Sequence, residues 1–397
     1  MERVRTRKWT AENNRKRSMK QDETHPLPFI PRELIVEILV RVPARSIARF
    51  ICVSKLWSSI VRSQDFTKSY QLLMMTRRSD PTRPRLLFSL LCHSVKTQQL
   101  FLSQQDPSSN HQRVNICMRP PTPLSYEFFT PVHGLICCQY DGNKVMIGNP
   151  STGQFLPLPR INSRTRRRHI FSFFGYDPVN DVYKVLCMTV VQGGPLTPWS
   201  GYMSQEHQVF TLGANQEWRS IECKHPHLPF PDTRGICING VVYYHAWIRS
   251  KRFLISFDLI SEEFNVIKPP ADDGGFQNLV NYNGKLALAY RHVNNTVVHL
   301  WVLEDACSET KWYRSFVACL SSSWRELAGK VDFELRGILS TGELIFAPLS
   351  PINPVHLISF DPKRNFAKKI VVEGLGDNVS SFKVYLDHVE SPMFLFC

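Results

Sequence analysis

The stretch Ser256-Phe-Asp-Leu-Ile-Ser-Glu-Glu-Phe264 carries the pattern that decides the fold. An apolar strand ends in an aspartate, a few polar residues follow, and an aromatic residue starts the next strand. The pattern returns in Ile147-Gly-Asn-Pro-Ser-Thr-Gly-Gln-Phe155 and Ser359-Phe-Asp-Pro-Lys-Arg-Asn-Phe366, with weaker versions at 212–218 and 303–312. The residues that mark the five copies are Asn149, Gly213, Asp258, Glu304 and Asp361. From 149 to 361 the mean period is 53 residues, close to the ~50 residues of a kelch-type blade.

A second recurring pattern is a tight turn that enters a strand, as in Asn239-Gly240, Asn283-Gly284 and Thr341-Gly342. Asn-Gly tolerates the positive φ of a hairpin turn, so each turn predicts a hairpin. Two linked hairpins per repeat predict a four-stranded blade without helices, whose faces are covered by neighbouring blades around an axis. The predicted fold of residues 84–397 is therefore a kelch-like β-propeller of about six blades, with a two-sheet sandwich as the alternative.

The two ends of this β region are predicted to meet. Strand patterns near Leu86 and Leu100 look like an earlier copy of the repeat, and the segment 382–386 has the pattern of a strand. Pairing between the two would close the ring, and closure would remove the exposed sheet edges that an open stack leaves.

Residues 30–70 differ from the rest because their apolar residues recur at helical spacing. Two stripes are visible: Leu34, Ile35, Ile38 and Leu39, and then Val53, Leu56, Trp57, Ile60 and Val61. Pro31 suits the first turn of a helix, and Pro43 ends that helix and opens the next. The pattern predicts three short helices near 31–41, 44–51 and 54–62. A unit of about 45 residues buries little surface of its own, so this module is predicted to bind a partner.

The formal net charge of +14 is concentrated in two places. Residues 1–20 hold eight Lys or Arg against two glutamates, and a second cluster consists of Arg164, Arg166, Arg167 and Arg168. The pattern predicts a disordered tail and a loop at these positions, and no aromatic residues are interleaved for stacking on bases. Solvated charge is the favoured interpretation, ahead of a nuclear-import signal and of nucleic-acid binding.

Composition indicates a folded protein inside the cell. Hydrophobic residues make up 43% of the chain and charged residues 21%, as in soluble globular proteins. No stretch is apolar for long enough to span a bilayer, and the N-terminus lacks the apolar core of a secretory signal. The eleven cysteines are scattered, mostly within apolar runs, and are predicted to be reduced packing residues. The predicted location is the cytoplasm, the nucleus or both.

The common motifs for enzymatic chemistry are absent from the sequence. Phosphate-binding loops, dinucleotide fingerprints, zinc-protease helices and nucleophile elbows are all missing, so the chain is predicted to be no enzyme and to need no cofactor. Cys223-Lys-His-Pro-His227 offers three metal ligands within five residues, but a metal also needs a fourth ligand and a rigid frame, so a plain loop is favoured and no metal is predicted.

Two aromatic groups are candidates for a recognition surface. Trp199 and Tyr202 lie in a loop flanked by Gly and Pro, and they are predicted to contact a target, because Trp and Tyr give a large contact area. The aromatics of Tyr243-Tyr-His-Ala-Trp247 alternate within a strand, and core packing is the favoured interpretation for them.

The helical segment resembles the F-box. The Ile30-Pro31 start, the Ile38-Leu39 pair, the Val42-Pro43 break, Arg49-Phe50 and the Cys-Val-x-Lys-x-Trp run from 52 to 57 stand in order at the right separations. Val53-Ser54-Lys55 departs mildly from the frequent Val-Cys-Lys, which leaves the resemblance intact.

The remainder resembles the plant F-box-associated domain of the third type. The motifs that carry this resemblance are His133-Gly-Leu-Ile-Cys137, Asn149-Pro-Ser-Thr-Gly153, Phe174-Gly-Tyr-Asp177, Asp181-Val-Tyr-Lys-Val185 and Ser256-Phe-Asp258. They consist of turn and strand residues, so they indicate architecture and no binding site. The predicted organisation is a basic tail at 1–25, an F-box at 26–72, a linker at 73–84 and a propeller-like target-binding domain at 85–397.

Together the resemblances imply a substrate receptor of a Skp–cullin–F-box ubiquitin ligase. Such a receptor performs no chemistry and holds its target near the charged ubiquitin-conjugating enzyme, which raises the effective concentration of the target. The implied partners are a Skp-type adaptor, through it a cullin, and a target protein. The alternative is a propeller scaffold that binds a protein or a glycan without a ligase.

By position, the resemblance assigns the adaptor contact to ten residues. They are Ile30, Pro31, Leu34, Ile35, Ile38, Leu39, Pro43, Ile47, Val53 and Trp57. For some of them, notably Ile38, Val53 and Trp57, packing of the three helices against one another is the alternative, because so small a module shares one apolar surface between core and interface.

Overall fold

The structure is a computed structural model that describes residues 30–76, 86–92, 97–105, 111–119, 126–141, 144–161, 168–191, 203–213, 216–231, 233–270, 278–291, 297–304, 311–320, 322–350, 352–375 and 379–395. The chain divides between Arg41 and Val42 into two compact units, and each is described by itself.

The first unit contains helix α1, Arg32–Leu39. Pro31 occupies the N-cap position, where its missing N–H removes no hydrogen bond from the helix. Ile35 and Leu39, four residues apart, are buried. Glu37 and Arg41 form an exposed ion pair of 2.7 Å, a type of contact that adds little stability.

The second unit opens with three more helices, α2 Ala44–Phe50, α3 Lys55–Val61 and α4 Gln64–Thr76. Pro43 precedes α2, and the hydroxyl of Ser54 caps α3 by accepting a hydrogen bond of 3.2 Å from the Trp57 amide. The helices bury Ala44, Ile47, Ile60, Val61, Phe66 and Tyr70. The three predicted helices are therefore present, and α4 adds a fourth that runs to Thr76, into the stretch predicted as a linker.

The β region consists of six blades, as the repeat predicts. Each has four main strands in antiparallel order, and neighbouring strands in the chain pair with each other. Blade 1 contains β4 Tyr126–Phe128, β5 Ile136–Tyr140, β6 Lys144–Asn149 and β7 Gln154–Pro157. Blade 2 contains β8 Arg168–Asp177, β9 Val182–Val191, β10 Met203–Thr211 and β11 Arg219–Ile221. Blade 3 contains β12 Leu228–Pro229, β13 Ile236–Ile238, β14 Val241–Ile248, β15 Lys251–Asp258 and β16 Phe264–Ile267.

The other three blades follow the same plan. Blade 4 contains β17 Asn278–Tyr282, β18 Lys285–Arg291, β19 Val297–Leu303 and β20 Trp312–Cys319. Blade 5 contains β21 Phe333–Ile338, β22 Leu344–Pro348, β23 His356–Asp361 and β24 Phe366–Glu373. Blade 6 contains β25 Val379–Tyr385 together with β1 Leu87–Cys92, β2 Thr97–Gln105 and β3 His111–Met118.

The sixth blade closes the ring as predicted. Strand β25 pairs antiparallel with β1, and the register places Tyr385 opposite Leu87 and Phe382 opposite Leu90. In addition, the outer strands of blades 5 and 6 make a short parallel contact in which Val371 faces His111.

The five marker residues of the repeat occupy equivalent places in five consecutive blades, at the turn between the third and fourth strands. The side chain of Asp258 accepts hydrogen bonds of 2.7 and 2.9 Å from the amides of Ile260 and Ser261. Asp361 and Asn149 do the same for the amides that follow them. A short polar side chain at this point folds the turn by bonding its own backbone, which explains the recurrence of Asp and Asn.

In the part of the propeller that the structure describes, the core contains six apolar clusters that each lie between two neighbouring blades. The cluster between blades 4 and 5, for example, joins Leu300 to Phe346 and Phe360, all buried. Because every sheet face is covered by the next blade, the strands have apolar residues on both faces.

One prediction about the repeat was wrong. A helix, α5 Ser322–Ala328, lies between blades 4 and 5 where no helix was expected. Its Trp324 is buried and meets the Phe346 ring edge-on at 5.5 Å, so the helix fills the junction between these two blades. The cysteines were predicted to be reduced packing residues, and Cys137, Cys138 and Cys187 are buried free thiols. Cys52 and Cys319 are free thiols too, but they are exposed and therefore do not pack the core.

Candidate functional site

Helix α1 leaves a row of apolar side chains in solvent. Ile30 is 46% exposed, Leu34 50% and Ile38 51%, and Pro31 is exposed as well. Leu34 and Ile38 are four residues apart and therefore lie on the same side of the helix. Folding of the chain leaves these side chains in water, so their burial by a partner would be favourable.

The second unit has its own exposed apolar residues, between α2 and α3. Val53 is 59% exposed and Leu56 38%, and Pro43 is exposed. Trp57 is half-buried, and its ring meets the Phe50 ring edge-on at 5.5 Å. Trp57 thus combines internal packing with a surface that a partner can reach.

The ten residues predicted to contact the adaptor differ in their exposure to solvent. Ile35 and Leu39 in the first unit and Ile47 in the second are buried, whereas Ile38 and Val53 are at least half exposed. Leu56 was missed by the sequence analysis, although it lies three residues after Val53 and in the same apolar stripe.

Helix α4 rests on blade 2 through polar contacts. The Lys68 ammonium lies 2.9 Å from the Asp181 carboxylate, and the Gln71 amide donates a 3.0 Å hydrogen bond to the Tyr183 hydroxyl. Asp181 also accepts a hydrogen bond from Tyr176. The hydrogen bond and charge of Asp181 raise the pKa of Lys68, and burial raises that of Tyr183.

Residues 388–395, here called the C-terminal brace, connect the helices to blade 1. Glu390 accepts hydrogen bonds from the Ala44 amide at 2.9 Å and from the Tyr70 hydroxyl at 3.3 Å. The guanidinium of Arg62 lies 5.4 Å from the centre of the Phe394 ring. Because the N-cap of α2 is a proline with no side-chain acceptor, Glu390 supplies this function from the far end of the chain.

Blade 1 holds the other side of the brace. The Asn149 amide donates to the carbonyls of Ser391 and Met393, at 3.0 and 2.7 Å, and the Ser391 amide donates to the Ser151 hydroxyl at 3.1 Å. Gly134, with φ +86°, has the Val389 carbonyl 2.7 Å from the place a Cβ would take. Only glycine permits this approach of two backbones.

A buried ion network joins blades 2 and 3 beside this junction. Lys184 lies 3.5 Å from Asp177 and 3.0 Å from Glu262; Lys184 and Asp177 are buried and Glu262 is partly buried. Burial alone would raise the pKa of the Asp177 carboxyl, but hydrogen bonds from Asn180 and Val179 and the charge of Lys184 hold it below its ordinary value. The sequence motifs that were expected to indicate architecture alone thus meet where helices, brace and propeller join.

These contacts define two faces of the propeller. The helix-bearing face contains the turns at Gly134, Ser151 and Asp181, which contact the brace or α4. Successive turns along an antiparallel sheet alternate between its ends, so the β14–β15 turn at 249–250 lies on the opposite face, here called the far face. Trp199 and Tyr202, predicted to bind a target, follow β9 and lie outside the described residues.

The aromatic strand Tyr243–Trp247 is partly in the core. Tyr244 is fully buried and stacks on Phe173 at 4.0 Å, which confirms the packing prediction for this residue. Trp247 is half-buried and stacks on Phe230 at 4.7 Å.

A cluster of metal-ligand types lies between blades 2 and 3. The side chains of His207, Cys223 and His227 have ligand atoms within 4.8 Å of one another. Sequence reasoning named Cys223 and His227 but missed His207, which comes from strand β10 and has no nearby motif. His225, the third ligand type in that segment, is exposed and contributes its carbonyl in place of its ring.

Hydrogen bonds account for both ring nitrogens of His227. Nδ1 lies 2.7 Å from the His225 carbonyl and Nε2 2.8 Å from the Tyr244 hydroxyl, an arrangement that fits a neutral ring donating at Nδ1 and accepting at Nε2. A metal at Nδ1 would have to displace that carbonyl. Burial lowers the pKa of His227 to about 4, and burial together with the charge of the His227 ring lowers the pKa of His207 to about 4.

Comparison with known proteins agrees with this architecture. Residues 27–69 match the F-box domain and residues 85–389 the F-box associated beta propeller domain. An F-box/kelch-repeat protein of Arabidopsis thaliana is 45% identical over 396 residues, 96% of this chain and 97% of that protein. The F-box protein DOR of the same plant is 33% identical over 387 residues, 91% and 92% of the two chains.

Solved structures show a more distant likeness. TolB from Acinetobacter baumannii is 8% identical and covers 82% of this chain and 73% of its own, with a TM-score of 0.45. That degree of likeness carries no argument about function. None of the described helices has the length and apolarity to cross a membrane.

F-box domains imply binding of a Skp-type adaptor, and relatives that combine an F-box with a propeller are typically non-catalytic adaptors of Skp–cullin–F-box ligases. The chain belongs to the plant family of F-box proteins with a C-terminal F-box-associated propeller domain.

Proposed function

We propose that this protein is the substrate receptor of a Skp–cullin–F-box ligase and promotes the ubiquitination and proteasomal degradation of a target held by its propeller. The observation that carries the proposal is the exposure of apolar side chains in residues 30–57. Leu34, Ile38 and Val53 are each at least half exposed, whereas the propeller buries nearly all side chains of this type. An adaptor that covered them would remove apolar surface from water.

The junction supports a positioning role. A receptor acts by effective concentration, and that concentration is highest when the link between its two binding surfaces holds them at a fixed separation. Helices α2–α4 are tied to blades 1 and 2 by the Lys68–Asp181 ion pair, the Gln71–Tyr183 hydrogen bond and the brace. We propose that this link holds the target at a constant distance from the ligase, in the cytoplasm or nucleus, where free thiols persist.

The first experiment measures adaptor binding. Full-length protein is co-expressed with a Skp-type adaptor, and the double variant Leu34→Asp/Ile38→Asp is compared with Leu349→Asp/Phe366→Asp, which changes two blade 5 residues that are each 57% exposed. We expect the first variant to lose at least about 100-fold in affinity, since two apolar contacts are replaced by charges that must be desolvated. The second variant should bind normally. Equal binding by all three proteins would contradict the proposal.

The second experiment asks about the consequence for targets. Proteins captured by the full-length chain, with cullin activity and the proteasome blocked, are identified by mass spectrometry, and their abundance is followed when the receptor is removed. We expect a captured target to accumulate. Adaptor binding without any change in the abundance of captured proteins would favour the alternative, a scaffold that binds without a ligase.

A further inference from the structure

The inner edge of blade 3 is built differently from that of the other blades. Strands β12 and β13 both pair with the same side of β14: Leu228 faces Trp247, and Ile236 faces Tyr243. The segment 228–238 therefore forms one inner strand that is interrupted between its two halves. The inner strands β8, β13, β17 and β21 contact one another around the propeller axis, so this interruption lies next to that axis.

An aromatic stack covers the end of this segment on the far face. The rings of Phe230 and Trp247 stack at 4.7 Å, and the Phe230 ring lies 5.6 Å from that of His245. The Arg252 guanidinium lies 5.5 Å from the Trp247 ring and 6.0 Å from the Phe230 ring. Phe230 and Trp247 are only half-buried, so part of the stack faces solvent.

The adjoining β14–β15 turn is strained and basic. Arg249 and Ser250 form a two-residue hairpin loop with φ values of 46° and 64°. Positive φ costs a non-glycine residue about 1 kcal/mol, and Asn-Gly is the usual choice for such a loop. The chain uses Asn239-Gly240 and Asn283-Gly284 at turns with the same backbone signs. Arg249-Ser250 therefore stands where Asn-Gly would give a more stable turn, as it does elsewhere in this chain. Backbone strain of this kind is typical of functional positions.

Positive charge is concentrated here. Residues 228–252 contain four Lys or Arg and one acidic residue, Asp232, which lies outside the described residues. The side chains of Arg249 and Lys251 are exposed, and neither has an ion pair or hydrogen bond within the described parts of the chain. Two uncompensated cations beside an aromatic stack are complementary to an anionic chain that also carries apolar or aromatic side chains.

Two further arginines add positive charge near the propeller axis. Arg234 belongs to the interrupted segment, and its Nε atom is buried without a hydrogen-bond partner in the described structure. Arg336 lies at a β-bulge of inner strand β21, close enough to Arg234 for their charges to act on each other, and pairs with Glu334 at 3.0 Å. A bulge changes the direction of a side chain within its strand.

We propose that the far-face end of blade 3 is the target-binding site of the receptor and that it takes an acidic peptide segment, with Arg249, Lys251 and Arg234 binding carboxylates or phosphates and the Phe230–Trp247 stack receiving a neighbouring apolar side chain. This inference rests on the proposed function, because it names the chemistry of the target. Carboxylates of Asp and Glu and the phosphates of modified side chains offer the same oxygen acceptors, and the experiment separates them.

The test uses the full chain purified with its adaptor and three fluorescein-labelled peptides of equal length, rich in glutamate, phosphoserine or lysine. We expect an anionic peptide to bind more tightly than the lysine peptide, with an affinity that falls as salt rises. The variant Arg249→Asn/Ser250→Gly installs the preferred turn, so it should fold at least as stably as the original while its affinity drops by about tenfold. Lys251→Glu should lower the affinity further.

The matched control is Lys363→Ser/Arg364→Ser, which removes two exposed basic residues from the β23–β24 turn at the other end of the strands. It should leave the affinity unchanged. Preference for the phosphoserine peptide over the glutamate peptide would identify a modified target, and equal binding would identify unmodified acidic segments. Unchanged affinity in the blade 3 variants, or no preference for anionic peptides, would overturn the inference. Adaptor retention is measured on the same samples, so a failure of the proposed function would appear separately, as loss of the adaptor.

Discussion

Residues 30–76 leave several large apolar side chains exposed to solvent, whereas the propeller buries nearly all of them. In the propeller, six clusters between blades bury them almost completely, and each cluster is covered by the next blade around the ring. In the helices, side chains as large as Leu34 and Val53 stay half in solvent while their neighbours Ile35 and Ile47 are buried. The same residue type therefore has two purposes, stability in one region and association in the other. Substitutions can separate these purposes.

The largest expected effect contrasts one residue from each region. Phe346→Ala creates a cavity at a fully buried position between blades 4 and 5, and we expect a loss of about 3–5 kcal/mol in the free energy of unfolding. Leu34→Ala removes a half-exposed side chain and should change that free energy by no more than about 0.5 kcal/mol while it weakens adaptor binding. Denaturant titration and adaptor pull-down measure the two effects. A large loss of unfolding free energy in Leu34→Ala would contradict this contrast, because it would show that Leu34 stabilises the fold.

The next effect concerns acid, and it belongs to the propeller. His207 and His227 have pKa values lowered to about 4 by burial, below the ordinary 6.5 of an unfolded chain. Between these two values the unfolded state binds more protons than the folded one, so the contribution to stability is complete above pH 6.5 and is lost as the pH falls toward 4. For His227 alone we expect a loss of roughly 3 kcal/mol across this range.

The variant His227→Asn tests the source of this pH dependence. It should be less stable than the original at pH 7 and show a flatter stability profile between pH 6.5 and 4, as measured by thermal unfolding. His169→Asn, at an exposed position, should keep the original profile. A profile that stays steep in His227→Asn would assign the pH dependence to other groups.

A smaller effect is expected at the brace. In Gly134→Ala the new methyl group would meet the Val389 carbonyl and Ser391 within 3 Å, and φ would still be +86°. We expect a loss of about 2–3 kcal/mol and faster hydrogen exchange in residues 388–395. Gly213→Ala is a matched control, because φ is +85° and nothing lies within 4 Å of the new atom. It should lose only about 1 kcal/mol, from backbone strain. Equal losses of unfolding free energy in the two variants would show that the close contact of Gly134 with the C-terminal brace does not constrain this position.

The smallest effect tests how far the helices depend on the propeller. Glu390→Gln removes the negative charge that accepts the Ala44 amide at the start of α2. We expect a loss of about 1 kcal/mol and faster amide exchange at the first turn of α2, with the propeller unaffected. Glu263→Gln, at an exposed position, serves as the control. Unchanged exchange at α2 would mean that the brace leaves the helix start unaffected.

Much of the fold follows from local chemistry that a sequence displays. Asp258 and Asp361 recur because each folds the turn beside it, so their spacing predicted the period and about six blades. The strand pattern at 382–386 predicted the closing strand. Helix α5 was missed because nothing in a strand-rich repeat indicates that Trp324 fills a junction between two blades.

The candidate site was predictable only in part. Apolar spacing located the helices, but the same spacing cannot tell buried Ile35 from exposed Ile38, because burial depends on how the helices pack. The brace could not be predicted from the sequence for another reason. Glu390 and Ala44 are 346 residues apart, and a contact between residues so distant in the sequence leaves no local pattern. His207 escaped notice because it comes from strand β10, outside the segment that holds Cys223 and His227.

The pairing of β25 with β1 also sets an order of events during synthesis. The helices that carry the F-box and the first strand of the ring leave the ribosome early, whereas β25 and the brace follow every other strand of the ring along the chain. Until they arrive, blade 6 lacks its inner strand and α2 lacks the carboxylate of Glu390. A prematurely terminated product would therefore keep an open ring with unpaired strand edges, which favour aggregation.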